Sequence, residues 1–161
     1  MNKRILPIIL TLLLLSACGF TLQGSGTQAL SNNIQQIELA FNNSSNQLGQ
    51  ILRRRLTASG VEVVENSSTY KLTLGDEQNL ERIVSVNRNV RAGEYELTLI
   101  SSFQLDNNGE SIIASEIIAL DQIYEADPTS AAAKTNEAEL VLTELRQALV
   151  EQILRRLQTV R

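Results

Sequence analysis

The sequence has no histidine, no tryptophan and a single cysteine, Cys18, among its 161 residues. Without imidazole or a second thiol, the chain cannot assemble a His/Cys zinc site, a Cys-His nucleophile or a Ser-His-Asp triad. It also cannot form an intramolecular disulfide, so the fold has to depend on its apolar core. We therefore expect no metal site and no catalytic residues.

Positive charge is also scarce. Fourteen Lys and Arg face 18 Asp and Glu, which gives a net charge of −4. Affinity for nucleic acid comes mainly from cations that neutralise phosphates, so this balance predicts no nucleic-acid partner. With 43% hydrophobic and 20% charged residues, a chain of this length has the composition of one globular domain.

The N-terminus has the pattern of a secretory signal. Lys3 and Arg4 precede the apolar residues 5–15 (ILPIILTLLLL), a run shorter than the roughly 20 residues that a membrane-spanning helix needs. Residues 15–18 (LSAC) have the form of a lipobox, in which the cysteine is acylated and the peptide before it is removed. The alternative is a simple secretory signal that leaves Cys18 as a free thiol.

This pattern divides the chain into three parts. We predict that residues 1–17 are a removed lipoprotein signal peptide, 18–33 a lipidated flexible tether, and 34–161 a single periplasmic α/β domain. The covalent lipid on Cys18 is then the membrane anchor, and we expect no other cofactor. Gly19, rather than Asp, follows the cysteine, which by the usual sorting of such lipoproteins indicates the outer membrane.

Apolar periodicity predicts the elements of the domain. In order, they are a strand at 37–41, a helix of about three turns ending at Gly60, a strand from Val61, antiparallel strands at 70–74, 80–86, 95–105 and 112–124, and a C-terminal helix of about six or seven turns. The expected fold is an α/β (α+β) two-layer sandwich, with two amphipathic helices packed on one mixed β-sheet of four or more strands. The β-branched residues of 112–124 favour a central position for that strand.

Residues 18–24 (CGFTLQG) resemble the mature start of the LPS-assembly lipoprotein family LptE, also called RlpB, which begins Cys-Gly-aromatic-x-Leu-Arg-Gly. The similarity continues through 56–62 (LTASGVE), 94–97 (EYEL) and the Asp127-Pro128 to 133–137 (AKTNE) passage into the last helix. It covers essentially the whole mature chain. Gln23 departs from the family's Arg.

The resemblance implies a non-enzymatic outer-membrane lipoprotein that forms a 1:1 complex with the β-barrel translocon LptD. Its domain would face the periplasm and the barrel lumen, plug the barrel, assist its assembly, and bind lipopolysaccharide during delivery to the outer leaflet. Outside its apolar stripes the domain is rich in Ser, Thr, Asn and Gln, which is compatible with a hydrophilic lumen.

The candidate lipopolysaccharide-binding residues are Arg88, Lys134 and Arg91. Arg88 matches the family's basic hairpin residue and Lys134 its lysine before the last helix, and the resemblance associates both positions with lipopolysaccharide. Arg91 lies beside the same predicted hairpin, and guanidinium groups bind phosphates well. Arg82 also lies near this hairpin but is not among the three candidates. The alternative for all of them is a solvated surface cation.

Other features have plainer interpretations. The run 53–55 (RRR) and Arg155 are predicted to be helix-end cations, with Glu151 pairing Arg155 from one turn before. The rival function is that of a periplasmic lipoprotein that serves as an activator or adaptor of a cell-wall synthase or a secretion complex. An enzyme with paired carboxylates stays open on composition, although the acidic residues mostly alternate with apolar ones, as solvated charges do.

Overall fold

The computed structural model describes residues 30, 34–41, 46–66, 68–86, 92–126 and 129–160. Cys18, the predicted signal peptide, Arg88 and Arg91 lie outside these ranges. The described chain forms β1 (Gln36–Phe41), α1 (Gln47–Ala58), β2 (Glu62–Val64), β3 (Tyr70–Leu74), β4 (Gln78–Val86), β5 (Ala92–Asn107), β6 (Glu110–Glu125) and α2 (Ala131–Leu157).

The six strands form one mixed sheet organised around β5. β1 pairs in parallel with both β2 and β3, and the remaining pairs are antiparallel. β3 and β4 occupy successive stretches of one edge of β5, while β6 follows its other edge. The predicted two-helix α+β fold on a mixed sheet is confirmed.

The predicted central position of the strand at 112–124 is wrong. Among the described strands, β6 pairs with β5 alone, and its Ile112, Ile117 and Ile123 are 42%, 74% and 55% exposed. β-branched side chains fit any pleated surface, including that of an edge strand. Composition therefore indicated a strand correctly but could not place it within the sheet.

The core lies between the helices and one face of the sheet. Alternate residues of β5 are buried, namely Tyr95, Leu97, Leu99, Phe103 and Leu105, as the period-two pattern predicted. The facing stripe of α2 is Val141, Leu142, Leu145, Leu149, Val150, Ile153, Leu154 and Leu157. This helix of 27 residues is about 40 Å long. It contacts Glu81 near its start and Glu116 near its end, so it runs along much of the sheet.

Local chemistry fixes both ends of α1. The Asn46 side chain accepts a hydrogen bond from the Gly49 backbone N–H at 3.1 Å, which satisfies one of the free donors of the first turn. At the other end, Gly60 has a φ of 82°, and Val61 N–H donates to Leu56 O at 3.1 Å. These contacts form a Schellman turn, in which Val61 packs into the core.

A buried arginine ties the layers together. Arg146 of α2 is only 6% exposed, and its Nη2 donates to Glu77 Oε1 at 2.6 Å, in the connection between β3 and β4. Its Nη1 donates to Gln47 Oε1 at 2.7 Å, at the start of α1. The guanidinium thus joins α2, α1 and the sheet, and the sequence pattern contained no signal for it.

Candidate functional site

The candidate site lies at the end of the sheet where β4 and β6 finish and β5 begins. Val86 pairs with Ala92 across the connection between β4 and β5, and Glu94 pairs with Glu125. α2 begins shortly after β6, with the Ser130 hydroxyl accepting from Ala133 N–H at 3.2 Å as its N-cap. The topology therefore brings the first turn of α2 to the same end of the sheet.

Lys134, one of the predicted binding residues, occupies this first turn and is held by two groups from the sheet. Its ammonium donates to Glu81 Oε1 of β4 and lies 4.1 Å from the ring centroid of Tyr95 in β5, a cation–π geometry. The Lys134 and Glu81 side chains are each 33% exposed. Lys134 is therefore an ion-paired surface group and not a freely solvated cation.

Two tyrosines support this ion pair from the core side. Tyr95 and Tyr124 sit opposite each other in β5 and β6, and their rings stack with centroids 5.5 Å apart. The Tyr124 hydroxyl donates to Glu81 Oε2 at 2.8 Å. Glu81, Tyr95, Tyr124 and Lys134 thus form one connected cluster, which we call the Lys134 cluster.

The contacts within the Lys134 cluster shift the pKa values of Glu81 and Tyr124. Partial burial alone raises the pKa of the Glu81 carboxyl, but hydrogen bonds from Lys134 and Tyr124 outweigh it and hold that pKa below its ordinary value. Burial is the main cause, and the hydrogen bond to Glu81 the second, that raises the pKa of Tyr124 far above its ordinary value. Both shifts favour an ionised Glu81 carboxylate that accepts a hydrogen bond from a neutral Tyr124 hydroxyl.

Arg82, the neighbour of Glu81, is also paired. Its Nε and Nη2 donate to Glu96 Oε1 and Oε2 at 2.6 and 2.8 Å, which is a bidentate geometry. The Arg82 guanidinium lowers the pKa of the Glu96 carboxyl. Arg82 points away from the Lys134 cluster, because Arg82 and Glu96 are opposite in register, whereas Glu81 faces the buried Leu97.

The other predicted residues fall outside the described ranges. Arg88 and Arg91 belong to the five-residue connection 87–91 between β4 and β5, whose described flanks, Val86 and Ala92, are at the same end of the sheet as Lys134. Cys18, the predicted lipidation site, also lies outside. Sequence reasoning missed Glu81, Tyr95 and Tyr124, because Glu81 and Lys134 are 53 positions apart and no local spacing connects them.

The charges of the two helices are paired differently from the prediction. Glu151 pairs with Arg55 of α1 at 3.3 Å and not with Arg155, so the ion pair links the helices to each other. Near the end of α2, Arg156 donates to Glu116 of β6 at 3.0 Å. This pair borders a shallow cavity of about 360 Å³ above Phe103, at the opposite end of α2 from Lys134.

Within the described ranges, no three acidic, cysteine or histidine side chains come together as metal ligands. Neither described helix combines the length and the apolarity needed to cross a bilayer. What the Lys134 cluster offers chemically is a partly exposed ammonium that a carboxylate and an aromatic ring hold in place.

Known proteins resemble this chain in sequence and in structure. Residues 34–157 match the family model LptE, described as lipopolysaccharide-assembly. Proteins named LPS-assembly lipoprotein LptE from Yersinia pestis and Yersinia pseudotuberculosis are 28% identical over 166 residues, covering 99% of this chain and 78% of theirs.

Two solved structures share the fold. Rare lipoprotein B from Shewanella oneidensis has a TM-score of 0.68 at 25% identity and covers 75% of this chain and 92% of its own. An uncharacterized lipoprotein B from Nitrosomonas europaea has a TM-score of 0.69 at 22% identity, covering 87% and 90%. Together with the match over nearly the whole folded domain, these likenesses establish that the chain belongs to the LptE lipopolysaccharide-assembly family.

Proposed function

We propose that this protein is an outer-membrane lipoprotein, anchored by acylation of Cys18, that plugs and assists the assembly of an LptD-type β-barrel in a 1:1 complex. In the same complex it binds lipopolysaccharide on its way to the outer leaflet. The family match and the names of the Yersinia relatives support lipopolysaccharide assembly as the process. Lys134, Arg88 and Arg91 are the proposed lipopolysaccharide contacts.

The observation that carries the proposal is the position of Lys134. The start of α2 brings this ammonium to Glu81 of β4 and Tyr95 of β5, the two strands that the 87–91 connection, with Arg88 and Arg91, joins. Lipid A carries phosphates, and several cations at one place bind phosphate more strongly than isolated ones. We therefore propose that Lys134 and these two arginines bind the same lipid A phosphates.

The surface of the domain supports the plug role. Among the described residues, Arg146 and Ser101 are the buried polar ones, so the remaining charged side chains lie at least partly at the surface. Such an exterior suits the polar, water-filled interior of an outer-membrane barrel. The family description names lipopolysaccharide assembly as the process.

Binding of lipopolysaccharide is tested by removing the two main cations. We expect the double variant Arg88→Gln/Lys134→Gln of the detergent-solubilised lipoprotein to bind purified lipopolysaccharide about tenfold or more weakly than the wild type. Lys71→Gln is the matched control, because Lys71 is the other described lysine and also forms an ion pair, with Glu38 at 2.9 Å. Equal binding by the double variant and the control would refute the assignment of these cations.

A further inference from the structure

Lys134 already has an anionic partner before any ligand arrives. Its ammonium donates to Glu81 Oε1 and rests on the Tyr95 ring at 4.1 Å, so two of the directions in which an ammonium attracts anions are occupied. Glu81 in turn is fixed by the Tyr124 hydroxyl at 2.8 Å. The Glu81 carboxylate is therefore held in a fixed position within the site.

We propose that Glu81 sets the affinity of this site by competing with the phosphate of the incoming lipid for the Lys134 ammonium. The inference rests on the proposed role of Lys134 and adds a regulating residue to it. A phosphate that approaches Lys134 has to displace Glu81 or share the ammonium with it.

The geometry favours competition over simple positioning of the lysine. The pair has no net charge, so it attracts a distant phosphate weakly, and a bound phosphate would lie within a few ångströms of the carboxylate and be repelled by it. The Tyr124 hydrogen bond keeps Glu81 from turning away into solvent. Lys134, in contrast, is also positioned by the Tyr95 ring and by its own helix. The Lys134 backbone N–H donates to Ser130 O at 3.1 Å. Lys134 therefore stays in place when the carboxylate charge is removed.

The test is the isosteric variant Glu81→Gln in the full-length lipoprotein, solubilised in detergent. Glutamine keeps an acceptor for Tyr124 and removes the charge. We expect it to bind purified lipopolysaccharide about tenfold more tightly, equivalent to about 1.4 kcal/mol, and to show no gain toward lipopolysaccharide whose lipid A phosphates have been removed.

Glu116→Gln is the matched control. It removes the same charge from another exposed ion pair, that with Arg156, which lies about 33 Å further along α2 and thus well beyond the screening length. Its affinity for lipopolysaccharide is expected to equal that of the wild type. An equal gain in both acidic variants would show a general effect of net charge and overturn the inference.

Comparison with Lys134→Gln separates the two levels of the argument. If Lys134→Gln weakens binding while Glu81→Gln leaves it unchanged or weaker, the competition is refuted and the proposed function stands. If Lys134→Gln binds lipopolysaccharide as well as the wild type, Lys134 is not a contact, and both the site assignment and the inference fail.

A readout without lipid tests the same ion pair. Lys71 and Lys134 are the two lysines within residues 18–161, so an amine-reactive reagent followed by peptide mass spectrometry reports on each separately. Glu81→Gln is expected to raise the labelling rate of Lys134 several-fold and to leave Lys71 unchanged. An unchanged Lys134 rate would show that Glu81 does not hold the ammonium, which overturns the inference.

Discussion

Replacement of Arg146 by alanine is expected to destabilise the domain by about 3 kcal/mol. Removing one partner of a buried ion pair usually costs about 3–5 kcal/mol, because the other charge stays buried without compensation. Here the Arg146 side chain is 7% exposed and its partner Glu77 17%, so some water reaches the abandoned carboxylate. This exposure places the expected loss at the lower end of the range.

Urea denaturation followed by circular dichroism measures this loss. With a slope of about 2 kcal/mol per molar urea, a loss of 3 kcal/mol lowers the transition midpoint by about 1.5 M. Arg155→Ala is the matched control, because Arg155 is an exposed arginine of the same helix, and its replacement is expected to change the free energy of unfolding by less than about 0.5 kcal/mol.

A double variant distinguishes a buried charge from lost packing. Glu77→Gln/Arg146→Met removes both charges and keeps most of the volume, so it is expected to be more stable than Arg146→Ala. A loss below about 1 kcal/mol for Arg146→Ala, or equal losses for Arg146→Ala and Arg155→Ala, would refute the structural role of this pair.

Three further predictions concern the core, a turn and acid stability. Leu149 is fully buried and Leu140 is 62% exposed on the same helix, so Leu149→Ala is expected to cost about 2–5 kcal/mol in urea denaturation and Leu140→Ala less than about 0.5 kcal/mol; equal losses would contradict the packing. Gly60→Ala is expected to lower the free energy of unfolding by about 1–2 kcal/mol in thermal melts, because φ at this residue is 82°, and an unchanged melting temperature would contradict the turn. Because the pKa of Glu81 is lowered in the folded state, the unfolded carboxyl, with a pKa of about 4.3, takes up its proton first as the pH falls. The stability that Glu81 contributes is thus present above the unfolded pKa and is lost as the pH drops through the folded one, and parallel acid-denaturation curves for the wild type and Glu81→Gln would refute it.

The order and type of the elements could be predicted because local patterns determine them. Alternating apolar residues such as Leu97 and Leu99 marked β5, and the helical stripe from Val141 to Leu157 marked α2; both sets are buried. Gly60 marked the end of α1 and has the positive φ expected there. Each of these signals depends on residues within one or two turns of each other.

Features that depend on distant residues could not be predicted in the same way. The partner of Glu151 is Arg55 of the other helix, because the packing of α1 against α2 decides which charges meet. The burial of Arg146 depends on Glu77 and Gln47, which tertiary structure alone brings together. An i, i+4 spacing brings two charged side chains of one helix within reach of each other, but it does not ensure that they form an ion pair.

The candidate site shows the same division. Lys134 was identified through the family resemblance, which placed it before the last helix; in the structure it lies in the first turn of that helix. Its ion pair with Glu81 and its contact with Tyr95 required the register of β4 and β5. The binding of lipopolysaccharide by Lys134, Arg88 and Arg91 stays a prediction.

The most direct test of the central claim is to purify the tagged full-length lipoprotein from outer membranes in mild detergent and identify what co-purifies in stoichiometric amount. We expect one large β-barrel protein at a ratio of one to one. Recovery of the lipoprotein alone, or with a cell-wall synthase, would contradict the plug function and favour the activator or adaptor.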